Sequence, residues 1–317
     1  MNLSLPPIVA LLIFPGGIAL LVGGLVYEFV DRKLVARFQN RIGPRWFQPL
    51  ADVIKLLAKE EVIPNGVVRG LFVALPIVAL TAILTAALSV PMFGFKPAYG
   101  YQGDLVVAVY LLSLMTLCTG LAGANTEDRF SLVGATRALT QMFSYEAPFL
   151  LALLGPAIAL GTWSIGQINT GAGSNLWFIL AQPFGFVAAL IGLMGKLELP
   201  PFDAPEAETE IVAGALTEYS GRGLALFRIG RDIELLIGLT LIASFYLGGL
   251  ANPFDFLWKT LILLLVTAGL QSLFARLRID QTVGLWWRIG SIMVILQLVA
   301  IVIGKMLGPL FPFLAGG

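Results

Sequence analysis

Leu71-Phe-Val-Ala-Leu-Pro-Ile-Val-Ala-Leu-Thr-Ala-Ile-Leu-Thr-Ala-Ala-Leu-Ser-Val-Pro-Met-Phe93 carries no charged side chain from end to end. About twenty such residues, wound as a helix, cross the hydrocarbon core of a bilayer, which is about 30 Å thick. Working outward, comparable apolar runs occupy 8–30, 104–124, 143–165, 176–197, 233–251, 257–275 and 286–310. The pattern predicts an all-α integral membrane protein of about eight transmembrane helices, forming one membrane domain over 1–317. Composition agrees: the 317 residues are 58% apolar and 12% charged. A soluble chain carries about a quarter charged residues. Glycine and proline inside the spans, as at Gly155-Pro156, are ordinary for membrane helices.

The few charges are placed unevenly. All the Lys and Arg residues except Lys96, Lys259 and Lys305 fall in or beside the connections 31–70, 125–142, 196–232 and 276–288. Positive charge marks the cytoplasmic side, so both termini are expected outside a cytoplasmic (inner) membrane. No cleavable signal peptide is expected, because the first apolar run is too long and has no basic residues before it. The connection 31–70 contains an amphipathic stretch, Pro49 to Glu60. There Leu50, Val53, Ile54 and Leu57 recur at helical spacing while Asp52, Lys55 and Lys59 face away. That pattern predicts a helix lying in the membrane interface.

Composition also excludes chemistry. The chain has no histidine and one cysteine, Cys118, in the middle of an apolar run. Haem ligation by histidine, a cysteine-held iron–sulfur cluster, a His/Cys zinc site and a Ser-His-Asp triad all need ligands that are missing. Cys118 reads as a small packing residue. With a net charge of +1 there is no bulk field to attract nucleic acid. No catalytic residue, metal site or bound cofactor is therefore expected in this chain, and redox chemistry belongs to a partner or a diffusible substrate.

The most informative stretch is the cytoplasmic-side segment 198–232. It opens Glu198-Leu-Pro-Pro-Phe-Asp-Ala-Pro-Glu-Ala-Glu-Thr-Glu-Ile211 and continues to Glu218-Tyr-Ser220. Asp203, Pro205 and Glu206 resemble a capped helix start, which would set Asp203, Glu206 and Glu210 on one face. A plain alternative is a pair of capping residues followed by a solvated acidic loop. The small apolar run Ile211 to Leu216 instead suggests that the chain turns back into a buried environment. Carboxylates crowded together and desolvated cannot all stay ionised, so some pKa values should rise, as a proton relay requires. Glu146 opens the fourth span and is either a snorkelling end residue or a relay member. Asp104 and Asp255 are expected to be solvated at outer ends. Asp203, Glu206, Glu208, Glu210 and Glu218, with Glu146, are the candidate ion-relay residues. At least two of Glu146, Glu206, Glu208, Glu210 and Glu218 should be shielded from water. Arg32, Arg37, Gln39 and Arg41 beside Gly43-Pro44, with Arg276, Arg278 and Asp280, are candidates for docking a partner, although lipid headgroup contact alone would explain their charge.

The run Arg32 to Pro44, the amphipathic helix, Arg137 through Gln141 to Ser144-Tyr-Glu146, the Pro201-Phe-Asp to Glu218-Tyr-Ser-Gly221 segment and Arg276 to Trp287 occur together in this order. In this the chain resembles the H-subunit (ND1-type, first membrane subunit) family of respiratory complex I, with relatives in membrane-bound hydrogenases and sulfur-reducing complexes. The resemblance implies a heel subunit that docks hydrophilic iron–sulfur and hydrogenase-like subunits and passes changes to antiporter-like membrane subunits. Iron–sulfur clusters, and nickel–iron in a hydrogenase, would sit in those partners. Arg37, Gln39 and Arg41 would fall near a quinone chamber or its equivalent. The chain departs from the complex I pattern where that chamber is built. Lys196 and Leu199 stand in place of an acid and an arginine, Arg231-Asp232 in place of Glu-Tyr, and Gly43-Pro44 reaches Gln48 through Arg45-Trp46-Phe47 only. These departures fit a ferredoxin-linked hydrogenase or sulfur-reducing relative better than a quinone reductase. A quinone-chamber subunit and a stand-alone cation transporter are the competing readings.

Overall fold

The computed structural model describes residues 12–172 and 178–307, with the backbone only at Glu208. The expected span ends at 8–11, 176–177 and 308–310 lie outside the described residues. The helices are α1 (Gly17–Phe38), α2 (Gln48–Ala58), α3 (Arg69–Leu88), α4 (Asp104–Ala124), α5 (Arg129–Leu160), α6 (Ile165–Ala172), α7 (Pro183–Lys196), α8 (Gly221–Tyr246), α9 (Pro253–Leu273), α10 (Ile279–Leu285) and α11 (Ser291–Leu307). A single π-turn, Trp286–Gly290, joins α10 to α11 as one rod. Among the described residues, five helices are long and apolar enough to cross a membrane: α3, α4, α5, α9 and the α10–α11 rod.

The other three expected spans correspond to α1, α7 and α8, and each differs from expectation for a physical reason. α1 continues to Phe38, so Arg32, Lys33 and Arg37 are helical and not part of a loop. α7 has 14 residues, about 21 Å, too short to cross the core alone. α8 starts at Gly221, well before the expected 233, and carries Arg231, Asp232 and Glu234. Its second half, from Ile233 to Tyr246, is buried throughout, so α8 is the axis of the bundle. It packs against α1, α3 and α9. Close approach depends on glycine: a Cβ at Gly24 would fall 3.1 Å from the α8 backbone at Ile233, and one at Gly238 would collide with Leu193.

α5 also exceeds its expected span. It begins at Arg129, so Glu146 lies in mid-helix and not at a helix start. Its length of 32 residues includes Pro148 and Pro156. A proline removes the N–H that would bind the carbonyl four residues earlier, and lipid cannot replace it. Here tyrosines do so. The Tyr246 hydroxyl of α8 donates to Ala152 O, the carbonyl freed by Pro156, at 2.6 Å. The Tyr219 hydroxyl donates to Phe72 O, freed by Pro76 of α3, at 3.1 Å, and its ring stacks on Phe72 with centroids 4.0 Å apart. Helix ends are satisfied in the same way. Gln297 of α11 accepts from Gly185 N in the first turn of α7 at 2.7 Å, and Lys259 donates to Gly249 O beyond the end of α8 at 2.6 Å.

Asp104 corrects an expectation. It is completely buried, accepting from Ile165 N at 2.7 Å and Tyr101 N at 3.3 Å, so it latches the start of α4 to the start of α6. α2 is also rotated relative to the expected face. Pro49, Val53 and Leu56 turn inward, while Leu50, Ile54 and Leu57 point out. Asp52 turns toward Arg32, 3.5 Å away. The inner apolar stripe faces protein and the outer one is left for lipid.

Removing either tyrosine hydroxyl isolates a carbonyl inside the bundle. Tyr246→Phe and Tyr219→Phe are each expected to cost about 1–2 kcal/mol. Thermal unfolding of the detergent-solubilised chain should show a lowered midpoint for both, with unchanged helix content by circular dichroism at low temperature.

Candidate functional site

The acidic segment does not form the expected capped helix. Asp203 O accepts from Ala207 N at 3.0 Å, closing a turn, and only Glu208–Ile211 makes a helical turn. Pro200, Pro201 and Pro205 deny the backbone its donors, and Val212 at φ 61 stops propagation. Asp203, Glu206 and Glu210 are therefore not one face of a helix. The expected turn back into a buried environment does occur, as a 3₁₀ turn, Gly214–Leu216, wedged between α4 and α5. A Cβ at Gly134 would collide with Ala215 N, and one at Gly123 would fall 2.9 Å from Ala215. Gly214 has φ +57 and packs so closely on Pro205 O that it leaves no room for a Cβ. Gln141 of α5 clamps the start of the segment, donating to Gly195 O at 2.9 Å and Phe202 O at 2.8 Å.

Three arginines from separate elements hold the acids. Arg276, before α10, grips Asp203 through two bonds of 2.9 and 2.8 Å, a forked geometry that fixes orientation as well as charge. It also reaches Glu210 at 3.8 Å. Arg137 of α5 donates to Glu210 at 2.8 Å and to Ala204 O at 3.3 Å. Arg231 of α8 binds Glu206, grips Leu197 O at the end of α7, and lies 3.7 Å from Glu198. The side chains of Glu206 and Glu210 are 42% and 52% exposed, whereas that of Glu198 is 10% exposed. The expected rise in pKa accordingly divides. The Arg137 guanidinium holds Glu210 below the usual carboxylate range. Burial raises Glu198 to about 7 against the opposing charge of Arg231.

The relay candidates separate by depth. Glu146 and Glu218 are half-buried, and Glu146 accepts a hydrogen bond from Ser113 of α4. The Glu208 side chain lies outside the described residues. The docking candidates separate too. Arg37, Gln39 and Arg41 sit beside Ile42 and Trp46, which are 97% and 76% exposed. Arg278 and Asp280 pair with each other in the open at 3.3 Å. Arg32 instead bonds Glu28 and faces Asp52, and Arg276 holds the acidic segment.

Deeper in the protein, the structure brings together ionisable groups that the sequence pattern does not single out. Lys196 and Glu234 face each other at 3.5 Å, each side chain 2% exposed. Lys196 Nζ lies 6.0 Å from the Tyr145 ring centroid, and the Tyr145 hydroxyl is 3.3 Å from Thr116 Oγ1. Toward α1, Asp232 is hydrogen-bonded to Glu28, and Asp31 accepts from Gln271 at 3.1 Å. A succession of polar contacts thus runs from α2 through Arg32, Glu28, Asp232 and Arg231 to Glu234, Lys196 and the Tyr145-Glu146 region. Arg231-x-x-Glu234 beside an apolar run is a usable signal, since intramembrane ionisable residues are seldom idle. Lys196 is hidden because it also counts as a topology marker.

Glu198 yields a pH prediction. With its folded pKa raised, its favourable contribution is complete below the ordinary carboxylate range and is lost as pH rises through about 7. Hydrogen exchange over 197–206 should accelerate beyond its intrinsic rate as that pH is crossed. Glu198→Gln should abolish the extra acceleration.

Comparison with known proteins places this geometry. A family profile described as NADH dehydrogenase matches residues 9–303. The H subunit of the NADH-quinone oxidoreductase of Carboxydothermus hydrogenoformans is 33% identical, over 85% of this chain and 81% of its own. The corresponding H subunit of Geobacter metallireducens is 35% identical, over 82% and 85%. Among solved structures, a chain of the membrane-bound sulfane sulfur reductase, an archaeal respiratory membrane complex, superposes with a TM-score of 0.81 at 26% identity, covering 90% of this chain and 96% of its own. With sequence and backbone in agreement over nearly its whole length, the chain belongs to the NADH dehydrogenase family, alongside the H subunits of NADH-quinone oxidoreductases.

Proposed function

We propose that this chain is the heel subunit of a redox-driven, ion-translocating respiratory complex. In this role it docks the hydrophilic electron-transfer arm on its cytoplasmic face and relays protonation or conformational change to antiporter-like membrane subunits. The observation that carries the reading is Arg231, which holds the partly exposed Glu206 and the buried Glu198 at once. Displacing Glu206 from that arginine alters the field at Glu198, so an event at the surface reaches a buried acid. Arg37, Gln39 and Arg41, with the exposed Ile42 and Trp46, offer the arm a surface of mixed charge and apolar character. The bias of Lys and Arg orients this face to the cytoplasm, with both termini outside.

The parent assembly we favour is a ferredoxin-linked membrane-bound hydrogenase or a sulfur-reducing complex. Support comes from the likeness to the sulfane sulfur reductase chain, and from Lys196 and Arg231, which occupy buried places in the ion-pair network. The second reading, a quinone-chamber subunit, is favoured by the H-subunit relatives at 33–35% identity. Native mass spectrometry of the purified complex separates the two. A hydrogenase-like or sulfur-reducing partner supports the first, and a quinone-linked arm supports the second.

The relay is tested by substitution. Glu210→Gln and Glu218→Gln are each expected to abolish ion pumping in membrane vesicles while the complex still assembles. Pumping that survives both changes refutes the relay.

A further inference from the structure

Lys196 and Glu234 form an ion pair with almost no contact with water, each side chain 2% exposed. Such a pair is a weak source of stability. Desolvating both charges offsets most of their attraction, and apolar residues of similar size would serve packing as well or better. The 3.5 Å contact is also loose, and Glu234 Oε1 makes no hydrogen bond. An ammonium and a carboxylate optimised for packing would sit closer. The surroundings of the pair are unequal. On one side, one turn earlier along α8, Arg231 holds Glu198 and Glu206. On the other, Lys196 lies over Tyr145 of α5, and the next residue, Glu146, is turned to Ser113 of α4. The charges acting on Glu234 come from α7 (Lys196), from α8 (Arg231) and from α5 (Glu146). The pair therefore stands between the acids of the cytoplasmic segment and the half-buried acid of α5.

We infer that Lys196 and Glu234 form the gate of the relay, a role that rests on the ion-coupling reading above. With the pair closed, the Glu234 carboxylate is held by the Lys196 ammonium. A proton that leaves the carboxylic acid of Glu198 and is taken up by the Glu234 carboxylate leaves Glu198 as a carboxylate beside Arg231. It also makes Glu234 neutral, which releases Lys196. The freed ammonium then lies beside Tyr145, where it favours ionised Glu146. Passage of the proton onward from Glu234 restores the pair. Lys196 is a positioning residue in this scheme, and Glu234 is the group that carries the proton.

The test uses the whole complex in sealed vesicles, reading ions moved per electron alongside electron-transfer rate. Glu234→Gln and Lys196→Met should each lower the ion yield roughly tenfold or more while electron transfer continues. Glu234→Asp should recover part of it. The paired change Lys196→Met with Glu234→Met removes the buried charges together, so it should assemble at least as well as the parent and still fail to pump. Normal pumping by the paired variant overturns the gate and makes the pair structural. Redox-triggered infrared difference spectra provide a readout that needs only the conservative variant. A carboxylic acid band that shifts in Glu234→Asp supports the gate, and spectra identical to the parent's refute it. Failure here is distinguishable from failure of the wider reading. If Glu210→Gln and Glu218→Gln stop pumping but the paired variant does not, only the gate is wrong. If the reverse holds, the surface acids are dispensable and the gate stands.

Discussion

Hydrocarbon supplies no hydrogen bonds, so each polar group drawn into this bundle must find its partner in the protein. α8 makes the demand most severe. It is the most enclosed helix and yet carries Arg231, Asp232 and Glu234. Their partners come from α7, from α1 and from the acidic segment, which ties those elements to the axis. The same constraint acts on the backbone, where Pro76 and Pro156 free carbonyls that Tyr219 and Tyr246 satisfy. Kinked helices and buried charges thus become joints between elements.

The acidic segment shows how charge is managed near the surface. Asp203, Glu206 and Glu210 are exposed enough to be solvated, yet each meets an arginine from a different part of the chain. The arginines orient more than they stabilise, since partly exposed ion pairs contribute little net energy. What they fix is position. Arg276 places the start of the segment, Arg137 its helical turn, and Arg231 its contact with the end of α7.

Legibility in the sequence follows the range of the interaction. The spans 71–93, 104–124 and 257–275 are readable because hydrophobic length is a local property, and α3, α4 and α9 fall on them. α8 is half readable: its apolar second half stands out, while the charged first half looks like a connection until burial shows its partners. The outward face of α2 misleads because both sides of that helix are apolar, so periodicity does not tell lipid from protein. The acids of the candidate site are visible as a cluster, but not their pairing. Arg276 and Asp203 are 73 positions apart, and no local pattern links them. Asp104 escapes sequence reading because a carboxylate at a helix end looks solvated unless a neighbouring helix start, here Ile165 N, needs an acceptor.

The wedge at Gly214–Leu216 has a mechanical corollary. With its backbone packed where Gly123 and Gly134 leave no room for even a methyl group, the strap cannot slide along the groove between α4 and α5. It can only lift out or prise the two helices apart. A push on the cytoplasmic acids would then be transmitted as a change of helix spacing, and spacing is a quantity that a neighbouring membrane subunit can sense without touching the acids themselves.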